Sequence, residues 1–455
     1  MNHKWSETVL NKMQKFKDIM YASERYIWEH PQTGFKEWDA HNYLKEKFAD
    51  MGFALKEAGS IPGFSFDIDT GREGPTVAVI GELDALIVPG DAQSGTKTCV
   101  MHACGHHCQV SALLGVAGVM ADPEILSELC GKIRIIAVPA EELSEMSERV
   151  QMRREGTIKY LSGKTEFMSR GFFDGVDIAI MIHTDSGDKE GLFIRAGTSG
   201  IIAKRVSYYG SQCAAGAAPA NAVNALYAAQ TAMNAINALR ETFPENQFVR
   251  SHAIITKGGE TVQHIPSEVI VESNVRAYDY QTLKTTNEKL NRAYVAGAVA
   301  FGAQVKIEDL EMYLPENDTD SPQLMNIAYE VGCDLFGKEN VGLNLRNRSC
   351  GGTDMGNVGA VMPCIQPLSK GAVGAAHSQN FQIKYPEYAV FHPAAVQSAM
   401  VCVLLEKGGE KAKEIIRDYK PLFPSIGDYL KEMDELYRVR NSIDYKTGNS
   451  AVLNW

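Results

Sequence analysis

The sequence predicts an α/β domain, a mixed sheet with helices on both sides, interrupted by a smaller inserted α+β domain of ferredoxin-like pattern. Three observations lead there. Helical and strand periods alternate over residues 1–190, and several strands are short continuous apolar runs. The middle third changes to the order β-α-β-β-α-β. With 455 residues the chain exceeds what one core organises, so about two or three domain-sized units are expected. The boundaries read as 1–196 for the first part of the larger domain, 197–310 for the insertion and 311–455 for the remainder.

Residues 5–30 carry a helical period, a turn follows at His30-Pro31-Gln32-Thr33-Gly34, and a second helix covers about 36–52. Strands are expected at 63–69 and 76–81, the latter of the kind a parallel sheet buries on both faces. A helix at 108–121, marked by Val110, Leu113, Leu114 and Val119, leads to a strand at 133–138. Another apolar strand is Ile178-Ala179-Ile180-Met181-Ile182. The insertion reads as a strand at 201–209, an Ala-rich helix at 221–241, strands at 250–256 and 267–279, a helix at 282–302 and a strand at 304–309. The α/β pattern then returns and closes with helices at 393–406 and 410–418 and a polar tail.

A hydrophobic fraction of 45% with 22% charged residues is that of a globular protein, and a net charge of −11 argues against a nucleic-acid or anionic-membrane surface. The first residues lack the basic and apolar regions of a signal peptide. No run approaches about 18 uncharged apolar residues, so no transmembrane helix is expected. Nine cysteines, an odd number without disulfide-like spacing, fit a reducing compartment, and a cytoplasmic location is expected.

The chemistry concentrates where apolar strands end. Glu82-Leu83-Asp84 follows 76–81, Glu141-Glu142 follows 133–138, and His183 follows 178–182. Ligands in open α/β sheets sit beyond the carboxyl ends of strands, so these groups can converge. Taken singly, Asp84 reads as a turn cap, the glutamate pair as a solvated surface and His183 as a hydrogen-bonded core histidine. The cluster Cys104-Gly105-His106-His107 is more specific, because thiolate and imidazole donors separated by a flexible glycine can face one cation. A closed structural zinc site would need a second Cys or His pair; Cys108 is the candidate, and it lies inside the following helix. A further cluster, Gly374-Ala375-Ala376-His377-Ser378, lies far downstream.

These segments resemble the M20 metallopeptidase superfamily and, within it, the M20D amidohydrolases, which include aminoacylase-like enzymes, hippurate hydrolases and aminobenzoyl-glutamate hydrolase. The resemblance rests on the order and spacing of five motifs over nearly the whole chain. They are His30 to Glu37, Gly81-Glu82-Leu83-Asp84-Ala85-Leu86, His102-Ala103-Cys104-Gly105-His106, Pro139-Ala140-Glu141-Glu142 and Gly352-Thr353-Asp354. It implies a metal-dependent hydrolase of an N-acyl amino acid, an aminobenzoyl-glutamate-like conjugate or a dipeptide. Two divalent cations, zinc or manganese, would be held by Cys104, His106, Glu142, His183 and His377, with Glu141 as general base and Asp84 orienting a ligand. The insertion would be the family's lid and the contact of a homodimer. In that lid, Gln263 stands where relatives carry asparagine, and Arg276 is a candidate for the substrate carboxylate or, equally, a side chain on the open face of its strand.

Two positions depart from the family pattern. His107 replaces the usual aspartate after Cys-Gly-His and reads as a surface residue at a helix start, as an added ligand, or as a donor that supports a ligand from behind. Ala214 stands where relatives carry a lid histidine that stabilises the tetrahedral intermediate, a donor whose loss typically costs on the order of 10²–10³ in turnover. A chain altered to trap substrate, a natural variant that uses His264 or another donor, and a weak enzyme all account for it. The competing functional readings are therefore a metal- and ligand-binding relative with impaired turnover and, from another class, a redox protein using Cys104 and Cys108.

Overall fold

The computed structural model describes residues 4–91, 93–187, 191–437, 439–441, 443–445 and 451–453. The chain forms two compact units: Met1–Gly197 with Asn317–Arg348 and Asn357–Ile426, and Thr198–Glu316 with Ser349–Gly356 and Gly427–Trp455.

The first unit is organised by a six-stranded mixed sheet. Its order is Lys56–Glu57, Phe64–Asp69, Lys132–Val138, Thr76–Glu82, Ile178–Ile180, Cys364–Ile365. Thr76–Glu82 runs parallel to both its neighbours, whereas Phe64–Asp69 is antiparallel to Lys132–Val138. Every residue of Thr76–Glu82 is buried, so both faces of this central strand are covered, as its unbroken apolar run predicts. One face packs on the helix His106–Met120, buried nearly all round, and that helix packs against Lys17–Glu29 and His392–Leu405. A smaller sheet in the same unit joins Val341–Ser349, Gly191–Thr198, Leu368–Val373 and Gln382–Ile383, with His183–Ser186 parallel to Leu368–Val373.

The second unit carries the expected β-α-β-β-α-β order. Its antiparallel sheet has the order Arg250–Lys257, Glu268–Ala277, Gly200–Tyr209, Gln304–Tyr313, which is the ferredoxin-like arrangement. The helices Ala225–Leu239 and Tyr280–Phe301 pack on each other and against this sheet. Asn224, which accepts the Leu226 and Tyr227 N–H groups, and Asp279, which accepts that of Thr282, start them.

Several elements differ from expectation. The helix read over 5–30 is Lys4–Met13 and Lys17–Glu29 joined by a 3₁₀ turn. The strand after 304 continues to Tyr313. One stretch, Glu387–Leu405, is after all long and apolar enough to cross a membrane; it is a core helix, buried against its own unit. The polar tail is also structured. Helix Ile426–Leu436 buries Tyr429 and Met433, and Val439–Asn441 pairs antiparallel with Gln304–Tyr313 as a fifth strand. The tail is held to the second unit by Arg440, which donates to Asp309 Oδ2 at 2.9 Å. That carboxylate is fully buried and also faces buried Lys204 at 3.1 Å. The boundaries at 197 and 310 therefore do not describe the tail, which packs with the second unit rather than the first.

Met433→Ala removes a fully buried side chain from the tail helix and is expected to cost the second unit about 2–5 kcal/mol, read by urea unfolding. A change below about 0.5 kcal/mol, the range of surface substitutions, would mean that the helix is not packed as described.

Candidate metal centre

Five segments of the first unit bring polar groups together. Asp84 follows the central strand and is fully buried. Its Oδ1 lies 3.1 Å from His106 Nδ1, and its Oδ2 accepts the Glu142 N–H at 2.8 Å. The Asp84 carbonyl oxygen is also 2.9 Å from His106 Nδ1. Both contacts fall on Nδ1, so the ring presents Nε2 to the site. Burial alone would raise the Asp84 carboxyl, but the hydrogen bond and charge of His106 hold it below the usual range.

The Cys104 and His106 pair is set by a glycine. Gly105 has φ +88°, a left-handed value, and a Cβ there would lie 2.7 Å from Thr184 Cβ. Thr184 follows His183, whose Nδ1 is 2.7 Å from the Thr184 carbonyl oxygen, leaving Nε2 3.4 Å from Cys104 Sγ. His183 is thus the first residue of a strand in the smaller sheet. His377 arrives on a turn with φ +61°, its N–H donating to the Ala103 carbonyl at 2.8 Å and its Nε2 lying 3.1 Å from Glu142 Oε1. Ala140, directly before Glu141, is also left-handed at φ +57°. Its N–H donates to buried Glu37 Oε1 at 2.8 Å, and its carbonyl accepts from Gly163. The segment carrying His30 to Glu37 therefore braces the strand ends; its Gln32 carbonyl also accepts from Ala85 at 2.8 Å.

The predicted residues of this unit meet. Cys104, His106 and His183 offer donor atoms within 4.8 Å of one another, as do Cys104, Glu142 and His377, and likewise His106, Glu141 and Glu142. The arrangement fits a cation on two further counts. His106 Nε2 and Glu142 Oε1 are buried atoms without hydrogen-bond geometry, although Glu82 Oε2 and His377 Nε2 lie 3.2 and 3.1 Å away. Burial, reinforced by Glu142, pushes the Cys104 thiol well up, and a bound cation is what converts such a thiol to a thiolate ligand. Burial and the His106 charge push His183 down to about 4, which leaves its imidazole neutral and able to ligate.

The remaining predicted residues lie in the second unit. Ala214 is exposed and forms an isolated antiparallel bridge with His264, and the Gln263 carbonyl accepts from Ala215 at 2.9 Å, so these three are brought together. Arg276 is half-buried on Glu268–Ala277 and donates from Nη1 to the Cys350 carbonyl at 3.0 Å. His107, read as a surface residue or an added ligand, is fully buried, with Nε2 3.2 Å from Glu24 Oε1. Sequence reasoning missed the ion pair beneath the centre. Lys164 and Glu82 are both fully buried and paired, and Gln109 Nε2 donates to Glu82 Oε2 at 2.9 Å. Burial would raise the Glu82 carboxyl, but Lys164, His106 and His183 pull it down to about 2. No sequence signal marks Lys164, which sits on a short helix far from the five motifs.

The sequence profile of peptidase family M20/M25/M40 matches residues 78–395. The chain is 26% identical over 339 residues to thermostable carboxypeptidase 2 of Saccharolobus solfataricus, spanning 71% of this chain and 81% of that protein. It superposes on the aminobenzoyl-glutamate utilization protein of Klebsiella pneumoniae with a TM-score of 0.65 at 16% identity, covering 89% of this chain and 100% of the other. A dinuclear metal binding peptidase of Bacillus subtilis superposes with a TM-score of 0.59 at 18% identity, covering 86% and 99%. At these identities the two superpositions speak for the fold.

Lys164→Met strands the Glu82 charge and is expected to cost the metal-free first unit about 3–5 kcal/mol at pH 7 in urea unfolding. The folded Glu82 carboxyl titrates at about 2, below its ordinary 4.5, so its stabilising contribution is complete above pH 4.5 and is lost as pH falls toward 2. Protonation relieves the stranded carboxylate of the variant, so the stability gap between parent and variant should narrow as pH falls from about 4.5 toward 2; a gap that stays constant with pH would rule out the pairing.

Proposed function

The chain belongs to peptidase family M20/M25/M40, and on that premise we propose a metal-dependent amidohydrolase acting on an N-acyl amino acid, an aminobenzoyl-glutamate-like conjugate or a dipeptide. The observation that carries this reading is the overlap of donor groups from Cys104, His106, Glu142, His183 and His377, with Glu141 among them. Those five side chains would hold two divalent cations. Zinc is favoured over manganese by the thiolate and imidazoles. Bound there, the cations supply Lewis acidity that acidifies water and polarises an amide carbonyl.

The chain's own groups carry the rest of the chemistry. Glu141 takes the proton released as water attacks the carbonyl and returns it to the leaving nitrogen. Asp84 holds His106 in the orientation that frees Nε2 and fixes the Glu142 backbone through its second oxygen. Arg276 is assigned to a substrate carboxylate and Gln263 to the substrate's polar groups. We assign the second unit to a lid that also joins two copies, and the free cysteines to a reducing, cytoplasmic setting. The impaired-turnover reading rests on Ala214 alone, while the pairing of His264 with Ala214 supports His264 as a replacement donor.

Glu141→Gln is expected to lower kcat on N-acetyl amino acids and p-aminobenzoyl-glutamate by about 10²–10⁴-fold with zinc content unchanged by elemental analysis. Undiminished hydrolysis would falsify the assignment. Paired assays of Ala214→His and His264→Ala address the missing donor. If His264 serves, its removal lowers kcat by about 10²–10³ while histidine at 214 adds little. A gain of that size in Ala214→His, with His264→Ala silent, excludes His264.

A further inference from the structure

The first turn of the helix His106–Met120 carries a second group of donors. His107 and Cys108 are fully buried. Glu24, on Lys17–Glu29, meets them with a side chain 12% exposed. Glu24 Oε1 lies 3.2 Å from His107 Nε2, Cys108 Sγ lies 3.6 Å from the same nitrogen, and all three donor atoms fall within 4.8 Å of one another.

We propose that Glu24, His107 and Cys108 form an additional zinc-class cation site, separate from the Cys104 and His106 centre, that clamps these two helices. The spacing matches the chemistry. Tetrahedral zinc, with bonds of about 2.0 Å to nitrogen or oxygen and 2.3 Å to sulfur, places neighbouring N and O donors about 3.3 Å apart and N and S donors about 3.5 Å apart. Thiolate, imidazole and carboxylate together select a borderline-soft divalent ion over calcium or magnesium. One buried donor of the pocket is also left over. His107 Nδ1 is buried without a hydrogen-bond partner. The partly exposed Glu24 side leaves an entry and a fourth position for water.

The same contacts without a cation would be a simple His107–Glu24 pair, and metal counting separates the two. Full-length protein is stripped with chelator, reloaded with zinc and dialysed, and zinc per chain is measured for the parent, Glu24→Gln and Cys108→Ser. Each variant should hold one equivalent less than the parent while retaining its hydrolytic rate. Cobalt substitution gives a second readout. In Cys104→Ser, thiolate-to-cobalt absorption should persist, and adding Cys108→Ser should abolish it. Equal zinc counts in the parent and Glu24→Gln, or no thiolate band in Cys104→Ser, overturn the proposal. A band retained in Cys104→Ser, together with a metal-loaded parent that hydrolyses none of the amides, would instead sink the proposed activity and leave this site standing.

Discussion

One buried carboxylate organises the polar heart of this protein. Asp84 spends one oxygen on His106 and the other on the Glu142 backbone, and so locks a strand end, a helix start and a loop into one geometry. Desolvating an anion is expensive unless each lone pair finds a donor, and a dry site then strengthens every bond it makes. The ligating face of His106 follows from this contact, because a ring held at Nδ1 has only Nε2 to offer. Beneath it, Lys164 neutralises Glu82, which otherwise would leave a charge without its cation in the same interior.

The geometry is maintained against local strain. Ala140 and His377 both adopt left-handed backbone conformations without being glycine, each at a cost of about 1–3 kcal/mol. Both are fastened by backbone hydrogen bonds, Ala140 to Glu37 and Gly163, and His377 to Ala103. These fastenings turn two flexible connections into fixed mounts for Glu141 and His377. Such advance positioning is what acid–base chemistry at a cation requires.

Much of this was legible in the residues. Apolar runs that end in Asp84, in Glu141-Glu142 and near His183 announce buried strands whose tips carry unneeded polarity, and the Cys104-Gly105-His106 spacing shows two donors about a flexible link. The fold class followed from the change of period between the two units. What stayed hidden depends on long-range pairing. Lys164 reads as an ordinary helix cation until Glu82 is found against it, and Glu37, though it ends a motif, has no visible task until it is found accepting from Ala140. The tail is polar on average, yet Tyr429 and Met433 fall on one buried stripe and Arg440 finds Asp309. Glu387–Leu405 escaped notice as an apolar stretch because scattered polar residues such as Gln397 and Ser398 interrupt it, though the core buries them too.

The strand Val439–Asn441 has a geometric consequence for self-association. It pairs with Lys306 to Glu308 and becomes one margin of the second unit's sheet, so among the described residues the sheet ends on a three-residue strand at one side and on Arg250–Lys257, with Ile254 and Ile255 exposed along it, at the other. Two molecules that zipper together there must present the same strand to each other across a two-fold axis. That union uses up the longer margin of both molecules at once. What remains at the far side is a three-residue strand, a poor template for an endless ribbon of stacked sheets.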